Sequence, residues 1–331
     1  MKDHGPPPGR EDAERARDRT VPRGVRQAVG RFAPSPTGPL HLGSLVAAVG
    51  SYLFARAAGG RWLVRMEDLD APRVVPGAAD EILRVLERTG FEWDGEVVAQ
   101  SERISLYEGA LETLRRRGLV FPCSCTRSDL ARVASAPAEG DPAVAATYPG
   151  TCRTGLPAGK PARAIRFRVP SRVLSFDDLL LGSFSEVLTE TAGDFVVKRA
   201  DGPFAYQLAV VVDDAAQGVS QVVRGADLLS STGRQIALQL ALGLPTPSYA
   251  HLPLVLGPGV SKLGKRDGAL PLATLDEARA AGSLRTALRI LGQEPAEGRP
   301  REILREAVRR FEPRRIPQEP RRAPAEGSPP G

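Results

Sequence analysis

Residues 31–44, Arg-Phe-Ala-Pro-Ser-Pro-Thr-Gly-Pro-Leu-His-Leu-Gly-Ser, constrain what this chain can fold into more than any other segment. A short apolar strand signal runs into a turn built on Pro34, Pro36, Gly38 and Pro39, and an amphipathic helix opens directly after it. The turn residues keep the backbone close to a ligand, and the first unpaired amides of the helix point at whatever negative charge sits there. His41 and Ser44 place side-chain donors beside those amides. The segment predicts an anion-binding strand–turn–helix unit.

The pattern downstream extends that unit into an α/β domain. Leu42, Leu45, Val46, Val49 and Leu53 share one helical face, Gly59-Gly60 stops the helix, and residues 61–66 read as a buried strand. A second helix turns Ile82, Val85 and Leu86 inward and ends at Gly90; a third starts near Ser101, carries Ile104, Tyr107, Leu111 and Leu114, and ends at Gly118. Strand and helix in alternation imply right-handed crossovers and a parallel sheet. The expected organisation is a Rossmann-like catalytic domain, its first half at 29–118 and its second at 201–271, interrupted by an insertion at 119–200 with β-like segments at 164–169 and 195–197. The second half resumes with a buried run at 205–212, a helix at 232–242 and a strand at 252–256 completing the sheet. A short helical segment follows at 272–313. Residues 1–28 and 314–331, rich in proline and charge, are expected to be a disordered leader and tail.

Composition narrows the class. At 331 residues the chain can bury a large core without disulfides, and no apolar run reaches the roughly 20 residues that span a bilayer. The N-terminus lacks the apolar core of a signal peptide, so a soluble, cytoplasmic protein without a membrane partner is expected. The net charge of +6 comes mainly from arginine; it suits phosphate contacts but does not by itself decide for nucleic acid. Three cysteines, Cys123, Cys125 and Cys152, form no disulfide framework. Two thiolates at C-x-C spacing and a third further on could close a tetrahedral zinc site if a fourth ligand exists, yet all three histidines lie outside this segment; free thiols around a turn are the alternative.

Two further segments carry charge at the ends of predicted strands. Residues 257–266, Gly-Pro-Gly-Val-Ser-Lys-Leu-Gly-Lys-Arg, contain the G-x-x-x-x-G-K of a P-loop from Gly259 to Lys265, but Arg266 stands where a magnesium-ligating Ser or Thr belongs, and Gly268 and Pro271 spoil the helix that must follow. The P-loop is rejected. Glu67, Asp68 and Asp70 follow the strand at 61–66 and read as a substrate-recognition element, a magnesium site or a solvated turn.

The string at 31–44 closely resembles the H-x-G-H signature of class I aminoacyl-tRNA synthetases in the form carried by the glutamyl branch, with Ser44 in place of the second histidine. The segment from Lys262 to Arg266 resembles the K-M-S-K-S loop of the same class, with Gly264 in place of the usual serine. The resemblance, covering about 31–269, implies a class I α/β fold with a zinc-bearing insertion. It implies that His41 and Lys265 are catalytic, and that Pro34, His41, Gly43, Ser44, Lys262 and Lys265 bind ATP, a substrate taken with Mg2+. It implies that glutamate is held by Arg31, Ala33, Ser35, Glu67, Tyr206 and Arg224, with Asp227 near ribose or the loop. Tyr148 is implied as the fourth ligand of a structural zinc with Cys123, Cys125 and Cys152. After Arg266 only 65 residues remain. A helical anticodon-binding domain needs on the order of 100 ordered residues or more. With the H-L-G-S form, that makes the chain resemble the truncated glutamyl-queuosine tRNA synthetases. They join glutamate, through its adenylate, to queuosine at the wobble position of tRNA(Asp). The implied partners are glutamate, ATP and the tRNA(Asp) anticodon loop, the implied state a monomer. A truncated conventional glutamyl-tRNA synthetase charging a 3′ end, or a non-catalytic paralogue that binds tRNA or glutamate, are the alternatives.

Overall fold

The computed structural model describes residues 27–126, 128–129, 147–257 and 276–322. Residues 1–26, most of 127–146, residues 258–275 with Lys262 and Lys265, and those from 323 lie outside them.

Strand β1 (Val29–Phe32) leads through the turn into helix α1 (Leu42–Ala57) and returns in β2 (Arg61–Met66), which pairs with β1 in parallel and with β3 (Val98–Ala99) beyond it. Helix α2 (Ala78–Arg88) lies between β2 and β3, and α3 (Ile104–Arg116) follows. A separate antiparallel sheet is formed by β4 (Val120–Cys123), β5 (Ala164–Phe167) and, after the hairpin β6 (Val173–Asp178)–β7 (Gly182–Val187) and the single turn α4 (Leu188–Thr191), β8 (Phe195–Lys198). Then come α5 (Tyr206–Ala216), β9 (Gln221–Gly225), α6 (Thr232–Leu242), β10 (Ser248–Leu252), β11 (Val255–Leu256), α7 (Glu277–Ile290), α8 (Pro300–Arg309) and β12 (Arg321–Arg322).

Strand β9 runs beside β1, where the Ser220 amide donates to the Val29 carbonyl (3.0 Å), and β10 pairs in parallel with both β9 and β6. The parallel order is therefore β3-β2-β1-β9-β10-β6. The direction of winding reverses between β1 and β9, and in a doubly wound sheet ligands bind in the crevice outside the carboxyl ends of the strands at that reversal.

Strand alternation sorts the side chains onto the two faces. Trp62, Val64, Met66, Val223, Ala250 and Leu252 face the core that includes α1, α7 and α8. There the Trp62 ring packs with Tyr52 and Phe91, and its Nε1 donates to Ser51 Oγ (3.0 Å). The intervening positions Arg31, Leu63, Arg65, Val222, Arg224, Tyr249 and His251 fall on the opposite face by the same period. The apolar ones pack with Ile236 of α6.

The expected elements differ from the observed ones in four places. The buried run 205–212 is the first part of helix α5, buried along its length from Leu208 to Asp214 and so without an amphipathic period, and the sheet strand is β9. The strand expected at 252–256 is two, β10 and β11, parted at Pro253, which has no amide to donate. The segment 119–200 is not one insertion, because hairpin β6–β7 joins the main sheet through Asp178 opposite Tyr249. Residues 314–322, expected within the disordered tail, are structured: Ile316 enters the core, Gln318 Nε2 donates to the Leu180 carbonyl (2.7 Å), and β12 pairs with β11.

Candidate active site

A cavity of about 490 Å³ opens at the reversal between β1 and β9. The turn 33–41 after β1 forms one wall, Gly225, Asp227 and Leu228 after β9 another, and Leu252 to Val255 a third. Arg31, Ala33, Pro34, Ser35, His41, Gly43, Ser44, Glu67, Tyr206, Arg224 and Asp227 all line it. Of the residues expected to bind glutamate or ATP, only Lys262 and Lys265 fall outside the described residues.

His41 is the N-cap of α1. Its Nδ1 accepts from the Ser44 amide (3.3 Å), and its Nε2 lies 3.2 Å from Ser44 Oγ. With Nδ1 accepting, a neutral ring carries its proton on Nε2. This pose explains Gly43: a Cβ there would lie 3.1 Å from His41 Cε1 and 3.2 Å from Nδ1. Gly38, at φ 129°, gives the turn a conformation that L side chains rarely adopt. Gly43 and Ser44, in the first turn of α1, line the cavity, and the unpaired amides of a helix N-terminus favour a negative charge.

The three acids after β2 separate. Asp68 accepts from the amide and hydroxyl of Ser101 (2.8 and 2.6 Å), and Asp70 pairs with Arg199 (3.2 Å). Of the three, only Glu67 lines the cavity, which removes the magnesium-cluster reading. Its position is tied to the turn, because its amide donates to the Pro34 carbonyl (2.9 Å). Burial pushes the Glu67 carboxyl above its ordinary pKa, while Arg65 and Arg31 pull the other way. Burial also raises the Tyr206 hydroxyl, with the Glu67 charge adding to it.

Beneath the cavity the sheet face that carries the arginines meets α5. Asp214 Oδ1 accepts from Arg31 Nε (3.2 Å) and from the fully buried Arg65 (2.8 Å), and Arg65 reaches Gln217 Oε1 (2.6 Å). Asp213 accepts from Arg103 (2.6 Å), the Tyr107 hydroxyl (2.8 Å) and Gln100 (2.8 Å). Burial opposes the Asp214 charge, yet Arg31 and Arg65 hold its carboxyl below the ordinary range. Arg31 spends its other bond on the Val223 carbonyl (3.4 Å), which leaves one terminal nitrogen without a partner among the described residues. Sequence reasoning missed Asp213, Asp214 and Arg65 as site supports. The available signal was the pair of adjacent aspartates in an apolar run, since buried charges must be matched.

The thiols of Cys123, Cys125 and Cys152 lie within 4.8 Å of one another. Cys125 and Cys152 sulfurs are 3.7 Å apart, too far for a disulfide, and Cys123 Sγ is 3.6 Å from the Tyr148 hydroxyl. Tetrahedral zinc with thiolates at about 2.3 Å and oxygen at about 2.0 Å separates sulfur from sulfur by about 3.8 Å and sulfur from oxygen by about 3.5 Å. The donor set fits. Arg166 donates to Cys123 Sγ (3.3 Å) and lies 3.9 Å above the Tyr148 ring, a cation against the surplus negative charge of three thiolates and a phenolate. Burial opposes the Cys152 thiolate, but hydrogen bonds from Ser124, Tyr148 and Cys125 lower its thiol to about 7; burial and its sulfur neighbours push Cys125 to about 11.

The family profile of class I (E and Q) tRNA synthetases, catalytic domain, matches residues 27–313. The chain belongs to this family. It is thus a ligase of the class I synthetase type, and the class implies ATP and Mg2+. Among its relatives, the protein of Geobacter sulfurreducens named glutamyl-Q tRNA(Asp) synthetase is 59% identical over 87% of this chain and 93% of its own length. That of Aromatoleum aromaticum, with the same name, is 57% identical over 84% and 85%. The crystal structure of a glutamate tRNA ligase from Elizabethkingia meningosepticum in complex with its amino acid superposes with a TM-score of 0.73 at 28% identity, covering 91% of this chain and 68% of that one. Among the described residues of this family member, no helix is long and apolar enough to cross a membrane.

Proposed function

We propose that the chain activates glutamate with ATP and transfers it to the queuosine base at the wobble position of tRNA(Asp). The observation that carries the activation step is the convergence, in one cavity, of Arg31, Arg224, Glu67 and a capped helix N-terminus at the reversal of the sheet. Glu67 takes the α-ammonium of the amino acid, and Arg31 and Arg224 offer N–H groups to its carboxylates, an arrangement that suits two negative charges better than an amide. The start of α1 and His41 hold the ATP phosphates, so that the α-carboxylate oxygen attacks the α-phosphorus and pyrophosphate leaves. Lys265, by its motif, meets the charge that develops on pyrophosphate. A hydroxyl of the RNA then attacks the acyl carbon and AMP departs. The queuosine acceptor is supported by the names of relatives that are 57–59% identical over 84–87% of this chain. Zinc held by Cys123, Cys125, Tyr148 and Cys152 serves structure, since four protein ligands leave no open position.

The test is pyrophosphate exchange into ATP with glutamate, glutamine or aspartate, followed by nuclease mapping of the labelled nucleotide in the acylated RNA. Glutamate-dependent exchange and label on the anticodon nucleotide are expected. Preference for glutamine, or label on the 3′ adenosine, overturns the proposal.

A further inference from the structure

Arg224 is 5% exposed and reaches the cavity from a buried chain of side chains that the proposed reaction has not used. Its Nε donates to His251 Nε2 (3.1 Å), and its two terminal nitrogens donate to Gln235 Oε1 (2.8 Å) and Thr232 Oγ1 (2.9 Å). Three of five N–H groups are thereby fixed, and two remain for a ligand. His251, fully buried on β10, places Nδ1 2.6 Å from Asp178 Oδ2. Asp178 sits at the end of β6, where its other oxygen accepts from the amides of Leu180 (3.0 Å), Leu181 (3.0 Å) and His251 (3.3 Å).

The donors settle the protonation of this chain. A guanidinium cannot lose its proton, so Arg224 Nε–H requires His251 Nε2 to be the bare, accepting nitrogen. The single proton of the neutral ring must then sit on Nδ1, facing a carboxylate oxygen that can only accept. Burial, reinforced by the Arg224 charge and opposed by Asp178, keeps His251 below its ordinary pKa and hence neutral. The hairpin β6–β7, outside the sequential order of the main sheet, thus supplies the anchor for a cation in the cavity.

We infer that Asp178 and His251 form a positioning relay that holds Arg224 in the orientation needed to receive a carboxylate of the amino-acid substrate, by fixing the Nδ1–H tautomer of His251. The inference rests on the glutamate reading of the cavity. Asp178→Asn separates orientation from packing. The amide of an asparagine there must turn its oxygen toward the three backbone N–H groups, which places its NH2 against His251 Nδ1. That forces the proton to Nε2, where it confronts Arg224 Nε–H donor to donor. The shape is kept and the tautomer is inverted, the logic by which an Asp-to-Asn change at a buried histidine partner disables an enzyme whose geometry is intact.

Two readouts decide the matter on the full chain. Nitrogen-15 NMR of the imidazoles reports the tautomer without any reaction: His251 as Nδ1–H in the wild type and Nε2–H in D178N is expected, and Nε2–H in the wild type overturns the relay. In pyrophosphate exchange, D178N and His251→Leu are expected to raise KM for glutamate at least tenfold and KM for ATP less than twofold. His251→Gln, whose Oε1 lies where Nε2 was and still accepts from Arg224, is expected to return KM for glutamate to within about threefold of the wild type. Equal changes in both KM values, or H251Q no better than H251L, would show a structural role only. A wild type with the Nδ1–H tautomer but no glutamate-dependent exchange would instead refute the glutamate reading while leaving the tautomer established.

Discussion

Gly43→Ala separates stability from function at the start of α1. A Cβ at this position lies 3.1 Å from His41 Cε1 and 3.2 Å from Nδ1, so the ring has to leave its capping position by a few tenths of an ångström or rotate away. Losing the side-chain cap costs about 1 kcal/mol. Alanine in place of glycine within a helix returns about 1 kcal/mol through backbone entropy. The two nearly cancel, so Tm is expected to stay within about 2 °C of the wild type, the shift that about 1 kcal/mol produces in a chain of this size. Rotation of His41 would carry its ring away from the amides proposed to hold phosphate, and a displacement near 1 Å at a reacting centre costs about 100-fold. Glutamate-dependent pyrophosphate exchange is therefore expected to fall about 100-fold, with Ser44→Ala, which spares the backbone cap, falling less than tenfold. Exchange by G43A within threefold of the wild type would refute the assignment of the His41 pose to catalysis. So would a large loss of Tm with activity falling only in proportion.

Asp214→Ala strands Arg31 and Arg65 without their shared buried acceptor and is expected to cost about 3–5 kcal/mol, read by urea denaturation; because the folded Asp214 pKa lies below the ordinary 3.8, the wild-type contribution is full above that value and is lost only as pH falls through the lower folded one. Glu67 has the opposite sign: its raised pKa means that it gains its proton above the ordinary 4.5, so KM for glutamate should climb on the acid side from a pH above 4.5, and Glu67→Gln should abolish that limb, as a KM–pH profile will show. Elemental analysis should find one zinc per chain, with Cys152→Ala losing it and Tyr148→Phe binding it at least tenfold more weakly in chelator competition; a zinc-free wild type contradicts the ligand set. Lys265→Ala is expected to lower pyrophosphate exchange at least 100-fold with an unchanged circular dichroism spectrum.

What could be read from the sequence was local. The strand at 61–66, the helix opened by His41 and the α2 positions Ile82, Val85 and Leu86 follow from periodicity and stop signals, and each is found in place. The cavity residues came from motif resemblance, and the structure brings Arg31, His41, Glu67, Tyr206 and Arg224 to one opening. The misses share a cause. Helix α5 is buried along most of its length, so its apolar run carries no period that distinguishes helix from strand. Its aspartates matter only because β1 and β2 lie against it with Arg31 and Arg65 inward, a long-range pairing that no local pattern encodes. Asp178 is the same case: a charged residue near a hairpin turn, whose role exists only because β6 pairs beside β10.

The central claim is the acceptor, and one assay meets it directly: transfer of labelled glutamate, with ATP, to purified tRNA(Asp) carrying queuosine, to the same tRNA without queuosine, and to tRNA(Glu). The account predicts label on queuosine-containing tRNA(Asp) alone. Label on tRNA(Glu), or on tRNA(Asp) regardless of queuosine, would contradict it.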